Sequence, residues 1–142
     1  MQTKKYSLAL ALVLLLGPGL GASFGFTGAN IRALRLGKDK GVSQEADSFE
    51  PEETIYAAAR VSDVAGTVNV KGRLVVEDVP GQQAGPIPGL EASVSLGGDG
   101  QADFKFSAPN KGWPKGKYIL EVGVFTEGGE EMDRKQAEFA VD

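Results

Sequence analysis

Short runs in which apolar and polar residues alternate recur along this chain, and segments rich in glycine or proline separate them. The cleanest run is 67–77, where one face would carry Val68, Val70, Gly72, Leu74 and Val76. A period of two places successive side chains on opposite faces of a β-strand. Each run is therefore predicted to be a strand with one buried face, and such faces have to be packed against a second sheet.

The same pattern predicts about seven strands, at 30–36, 54–61, 67–77, 90–96, 101–108, 117–126 and 134–141. The segment 78–89 holds three prolines and is predicted as a loop that crosses between sheets or follows a sheet edge. Gly97–Gly100 is predicted as a tight turn that closes a hairpin. Several short strands without an amphipathic helix predict an all-β fold, a Greek-key β-sandwich. An up-and-down barrel is the alternative.

The first predicted strand, 30–36, does not sort cleanly into two faces. Regular alternation would place Arg35 beside Ile31 on one face and Arg32 beside Leu34 on the other. Neither face is then apolar, so this strand is predicted to lie at a sheet edge. The polar segment 37–50 has no apolar period and is predicted as a mobile loop, whose charges are more typical of a solvated surface than of a cation site.

The first 23 residues have the parts of a secretory signal peptide. Lys4 and Lys5 form a basic start, residues 8–16 are apolar, and small residues precede a cleavage site before Phe24. The apolar run is shorter than the roughly 20 residues of a membrane span. An uncleaved anchor is the alternative, and it would be the chain's one contact with a membrane.

This leader predicts an exported protein, located in the periplasm or outside the cell. The predicted domains are a signal peptide at 1–23, an N-terminal segment at 24–29 and the sandwich at 30–142. Cleavage would remove two lysines and no acidic residue, and so change the net charge from −4 to −6. Nucleic-acid binding needs clustered lysine and arginine, so this acidic balance argues against it.

The sequence contains neither cysteine nor histidine. Disulfides, thiolate nucleophiles, Ser-His-Asp catalysis and Cys-His catalysis are therefore excluded. Asp99 and Asp103 lie near glycines, but a calcium loop needs about six oxygen ligands, so we predict no metal site and no cofactor. Paired carboxylates remain as a catalytic option, yet glutamates on strand exteriors are usually solvated, and we predict that the protein is not an enzyme.

Residues 112–118, Gly-Trp-Pro-Lys-Gly-Lys-Tyr, join turn chemistry to the next strand. Pro114 presets the backbone for a turn, and Gly116 allows another backbone segment to approach closely. Tyr118 lies near the start of a late strand, where sandwich domains often have a tyrosine that bonds to upstream backbone. Trp113, the only tryptophan, is predicted to pack in the core with its indole N–H bonded, and an exposed Trp113 that stacks on a ligand is the alternative.

Two motifs together resemble a known group of domains: Phe49-x-Pro51-x-Glu53-Thr54-Ile55-Tyr56 and Gly112-Trp113-Pro114-x-Gly116-x-Tyr118. They are similar to the F-x-P-x-D-x-I-Y and G-W-P-x-G-x-Y motifs of small secreted bacterial immunoglobulin-like domains, many of them of uncharacterised function. The resemblance covers about residues 30–142 and implies the fold without supplying catalytic residues. The chain departs from the group at Glu53, where aspartate is usual, and around Leu74, where many members carry tryptophan.

These observations predict a non-catalytic exported adaptor or accessory subunit that binds a protein partner. One alternative is a module that binds carbohydrate or a surface polymer through a flat platform of Tyr56, Trp113 and Phe125. Another is a self-assembling structural subunit in which copies donate an edge strand to each other.

Overall fold

A computed structural model describes residues 28–142, so the predicted signal peptide and residues 24–27 lie outside the described part. Eight strands form in it: β1 (Asn30–Gly37), β2 (Ser48–Phe49), β3 (Ile55–Ser62), β4 (Val68–Asp78), β5 (Gly85–Leu96), β6 (Gly100–Phe106), β7 (Gly116–Thr126) and β8 (Glu131–Val141). Within this range no helix has the length and hydrophobicity to span a membrane.

The strands form two sheets around one hydrophobic core. The small sheet has the order β1-β3-β6, and the large sheet has the order β2-β8-β7-β4-β5. Neighbouring strands are antiparallel except β2 and β8, which run parallel. The prediction of an all-β fold with two packed sheets is confirmed.

Alternation correctly predicts the buried faces of the central strands. The inward residues of β4 and β7 are buried, among them Val68, Val70, Leu74, Tyr118, Leu120, Val122 and Val124. Phe104 of β6 lies opposite Ala57 of β3, and its ring would contact a Cβ added at Gly72 of β4 at 3.4 Å. The small residues at 57 and 72 therefore make room for one large ring between the sheets.

A bulge in β1 resolves the ambiguity of the first strand. Ile31 pairs with Val61 and Ala33 pairs with Arg60, so one extra residue is inserted. The insertion shifts the alternation, as bulges do. Three apolar residues are buried or packed against the core (Ile31, Leu34, Leu36), and three residues face outward (Arg32, Ala33, Arg35). The predicted edge position is confirmed, whereas the predicted mixing of arginine and apolar residues on each face is wrong.

The segment predicted as a loop at 37–50 contains the two-residue strand β2. Phe49 is buried and meets Phe139 edge-on, with ring centroids 5.6 Å apart. Earlier in the segment, the Asp39 carboxylate accepts the backbone N–H groups of Ser43 and Gln44 at 3.1 and 3.0 Å. The Ser43 hydroxyl also donates to it, and these bonds lower the pKa of Asp39. A strand of two residues is too short for its periodicity to be recognised.

The connection from β4 to β5 differs from the prediction. Strand β5 already begins at Gly85, and Pro86 pairs with Val75, so β4 and β5 form a hairpin within the large sheet. The prolines are tolerated because β5 is the outer strand of that sheet and needs donors on only one side. The alternative that this segment follows a sheet edge is the correct one.

The predicted hairpin across Gly97–Gly100 is wrong. Strands β5 and β6 belong to different sheets, so this turn carries the chain from one sheet to the other. Asp99 in the turn accepts the backbone N–H of Val64 at 2.8 Å and so holds the neighbouring crossover after β3. Glycine chemistry specifies a tight turn, but it does not specify the sheet that the next strand joins.

Candidate functional site

The predicted corner at 112–118 is a buried junction. Trp113 is 2 % exposed, and its indole Nε1 donates to the carbonyl of Glu53 at 2.8 Å. Its backbone N–H donates to the carbonyl of Pro51, also at 2.8 Å. The two sequence motifs therefore meet in space, because Trp113 binds the backbone of the Phe49–Tyr56 motif twice.

Glu53, the residue that departs from the resembled motif, closes the turn in front of β3. Its carboxylate accepts the backbone N–H of Glu50 at 2.8 Å, and its own N–H donates to the Glu50 carbonyl at 3.1 Å. Lys38 adds a salt bridge at 3.0 Å. The bond from Glu50 and the charge of Lys38 hold the pKa of Glu53 below its ordinary value. Residue 53 thus fixes the backbone that receives Trp113.

Tyr118 and Gly116 complete the corner at the start of β7. The Tyr118 hydroxyl donates to the Pro114 carbonyl, and its ring stacks on Phe139 at 5.3 Å between centroids. Burial raises the pKa of Tyr118. Gly116 has φ 149°, and a Cβ there would lie 2.6 Å from the carbonyl oxygen of Asp78. These four residues (Trp113, Pro114, Gly116, Tyr118) hold the end of the sandwich together.

The outer face of the large sheet contains Phe125, the second residue of the predicted aromatic platform. Phe125 is half-buried, and its ring leans over Gly123, where an added Cβ would meet a ring carbon at 2.8 Å. The Lys71 ammonium lies 5.2 Å from the ring centroid, within the range of a cation–π contact. One face of this aromatic ring is therefore already engaged by a charged side chain.

Beside Phe125, ion pairs cross three strands of the large sheet. Arg73 on β4 contacts Glu121 on β7 at 2.8 Å, and Arg134 on β8 contacts Glu131 at 2.8 Å and Glu121 at 3.8 Å. Gln136 also donates to Glu121, whose side chain is only 16 % exposed. The bonds to Glu131 raise the pKa of Arg134. Glu121 is thus engaged by three partners and is not presented as a free acid or base.

These groups surround a shallow cavity of about 150 Å³ on the outer face of the large sheet. Its lining combines Phe125 with the ion-paired side chains and with Glu91 of β5. A drug-sized ligand pocket is usually several hundred Å³. The geometry therefore offers a flat, largely charge-balanced surface with one aromatic side chain.

Tyr56 lies on the opposite side of the molecule. It is on β3, between Gly37 of β1 and Lys105 of β6, and it is half-buried on the outer face of the small sheet. With Trp113 in the core and Phe125 on the large sheet, the three aromatic residues do not form one platform.

The acidic residues show no arrangement for a metal ion within residues 28–142, where no group of three or more ligating side chains occurs. Asp103 accepts the side-chain amide of Gln101 at 2.9 Å. Partial burial raises the pKa of Glu77, and repulsion by Glu138 adds to this shift.

Sequence reasoning missed the ion-pair network, although its members occupy outward positions of predicted strands. The sequence signal that could have indicated the network is the presence of opposite charges on the outward faces of these strands. Their partners depend on strand register, which sets Arg73 directly opposite Glu121 and Glu121 opposite Gln136. No protein-family model matches the chain, and no curated protein matches it either.

Proposed function

We propose that this chain is an exported immunoglobulin-like domain that binds a protein partner and has no catalytic activity of its own. In immunoglobulin-like domains, strands B and E are neighbours in one sheet, and strands C, F and G are neighbours in the other. The strand orders support this assignment, because β3 and β6 then correspond to B and E, and β4, β7 and β8 to C, F and G. The bond from Tyr118 to upstream backbone is the second support, because sandwich domains of this type have such a tyrosine at the start of strand F. The signal-peptide pattern of residues 1–23 supports export.

The outer face of the large sheet is the proposed partner surface. The observation that carries this assignment is Phe125 under Lys71, beside the Arg73–Glu121–Arg134 ion pairs. Aromatic and arginine side chains are enriched among residues that dominate binding energy. Here they are held by a sheet and by one another, so little side-chain freedom remains to be lost on binding.

A protein partner fits this surface better than a sugar does. Binding of sugars by stacking needs an aromatic face open to solvent, whereas Lys71 lies over one face of the Phe125 ring and Trp113 is buried. A charge-balanced surface with fixed donors and acceptors suits a partner of complementary polarity.

Site-specific photo-crosslinking in cells tests this proposal. A photoreactive residue at Asn69, directly opposite Phe125, should give one cross-linked protein, and the Phe125→Ala variant should lose it. The same residue at exposed Lys111, in the segment between β6 and β7, is the matched control and should give no such product. Equal cross-linking at both positions, or a product that Phe125→Ala leaves unchanged, would contradict the proposed surface.

A further inference from the structure

The outer face of the small sheet concentrates arginine. Arg32 and Arg35 lie on β1, and Arg60 lies on β3. The bulge after Ile31 is what turns both β1 arginines outward, as described above. We call Arg32, Arg35 and Arg60, with Ala33 and Ala58 between them, the arginine face.

Register places Arg35 and Arg60 close together, and Arg32 precedes Ala33, the residue paired with Arg60. Ala33 pairs with Arg60, and Arg35 pairs with Ala58, so Arg35 and Arg60 are diagonal neighbours. Diagonal residues on one sheet face are about 7–8 Å apart at the backbone, within reach of a shared anionic group for long side chains. Ala58 is 2 % exposed and therefore covered by its neighbours, so the accessible part of this face consists of Ala33 and the arginine side chains.

The arginines of the two sheets differ in how they are neutralised. Both arginines of the large sheet, Arg73 and Arg134, form salt bridges with glutamates. Among residues 28–142, by contrast, none of the arginine-face residues forms a salt bridge. Arg35 donates through Nη1 to the Val42 carbonyl at 3.0 Å, which orients its guanidinium without neutralising it.

The chemistry of the arginine face fits carboxylates. A guanidinium group is always charged and binds a carboxylate through two parallel hydrogen bonds. The protein as a whole is acidic, with net charge −4, and Asp103 lies on the same sheet face, opposite Ala58. An extended polyanion would meet more of this negative charge than a short acidic segment would.

We propose that the arginine face docks an acidic segment of a partner protein, with Arg32, Arg35 and Arg60 pairing its carboxylates. The face lies on the opposite side of the sandwich from Phe125. It binds through charge rather than through an aromatic contact. Its test is therefore independent of the large-sheet surface.

Amide chemical shifts of ¹⁵N-labelled residues 24–142, titrated with a hexaglutamate peptide at low salt, provide the test. We expect saturable shifts centred on β1 and β3, weakening as salt is added, and none with hexaglutamine. The triple variant Arg32→Gln, Arg35→Gln, Arg60→Gln should weaken binding at least about tenfold, equivalent to about 1.4 kcal/mol. A variant that removes the same number of charges elsewhere (Lys111→Gln, Lys115→Gln, Lys135→Gln) should bind as the wild type does.

Several outcomes would overturn the proposal. One is a set of chemical-shift changes spread evenly over the basic residues. Another is an equal loss of peptide affinity in the two triple variants. The third is tighter binding to vesicles of mixed phosphatidylcholine and phosphatidylglycerol than to the peptide. The dispersion of the amide spectrum reports whether the arginine variant is folded. Should it unfold, Arg60→Gln alone serves as the variant, and unchanged affinity in it would equally refute the role of this face.

Discussion

Replacing Gly116 by alanine should be among the most damaging small substitutions in the described part of this protein. Gly116 has φ 149°, in a region that residues with a Cβ rarely adopt. The new Cβ would also lie 2.6 Å from the Asp78 carbonyl oxygen and 2.9 Å from the Val79 Cα. Both contacts are with backbone atoms, and Asp78 is paired with Lys117 in the large sheet. A backbone shift that relieved the contacts would therefore disturb this strand pairing.

The cost has two parts. An unfavourable backbone conformation costs about 1–2 kcal/mol for a residue other than glycine. Forcing an extra methyl group into a packed site adds about 1–3 kcal/mol. We therefore expect Gly116→Ala to lower the free energy of unfolding by about 2–5 kcal/mol, a large fraction of the 5–15 kcal/mol typical of a domain.

Gly85→Ala separates the two parts. Gly85 has a similar φ of 140°, but a Cβ there would meet nothing within 4 Å. It should cost only the conformational part, about 1–2 kcal/mol. Any gain from restricting the unfolded chain is common to both variants and cancels between them.

Urea unfolding followed by the fluorescence of Trp113, the one tryptophan, measures both variants. The slope of the transition should stay unchanged, so that a shift in its midpoint reports stability. If the two variants agreed within about 0.5 kcal/mol, the steric argument for the corner would be refuted.

Two further substitutions test other parts of the structure. Trp113→Phe removes the hydrogen bond to Glu53, so that the Glu53 carbonyl loses its donor and a cavity forms. We expect it to lower the free energy of unfolding by about 2–4 kcal/mol, measured by circular dichroism because the fluorophore is lost. A cost below about 0.5 kcal/mol would contradict the described junction. Glu77→Gln should stabilise the protein slightly at neutral pH, because partial burial and Glu138 raise the pKa of Glu77 in the folded state. The ionised form of Glu77 destabilises the folded state, so the stability gained by Glu77→Gln should vanish below the pKa of an unfolded glutamate and reach its full size above the folded-state pKa. A stability difference that does not depend on pH would refute the role of Glu77 ionisation.

The central strands could be predicted from the sequence because burial on one face imposes a period of two. In β4 and β7 every inward position was identified, including Val70 and Leu120. The corner was also recognisable, since proline, glycine and tyrosine have restricted backbone or bonding preferences. These preferences act over a few residues, so they can be recognised in the local sequence.

The connections were not predictable in the same way. Gly97–Gly100 was predicted to close a hairpin but links two sheets, and residues 85–89, predicted as part of a loop, form the start of strand β5 in the large sheet. Turn residues define local geometry, whereas the choice of sheet depends on side chains distant in sequence. Phe104 of β6 lies opposite Ala57 of β3 and packs on Gly72 of β4. This packing exists only when all three strands are assembled.

The sequence by itself determined the class of fold, the faces that are buried and the absence of cysteine and histidine chemistry, because these depend on composition and local period. Tertiary structure decided which motifs and charges meet. It brought Trp113 to Pro51 and Glu53, and it placed the arginines of β1 outside through a single inserted residue. Strand register and bulges follow from the packing of the whole core, so the surfaces offered to partners could be defined only once that packing was known.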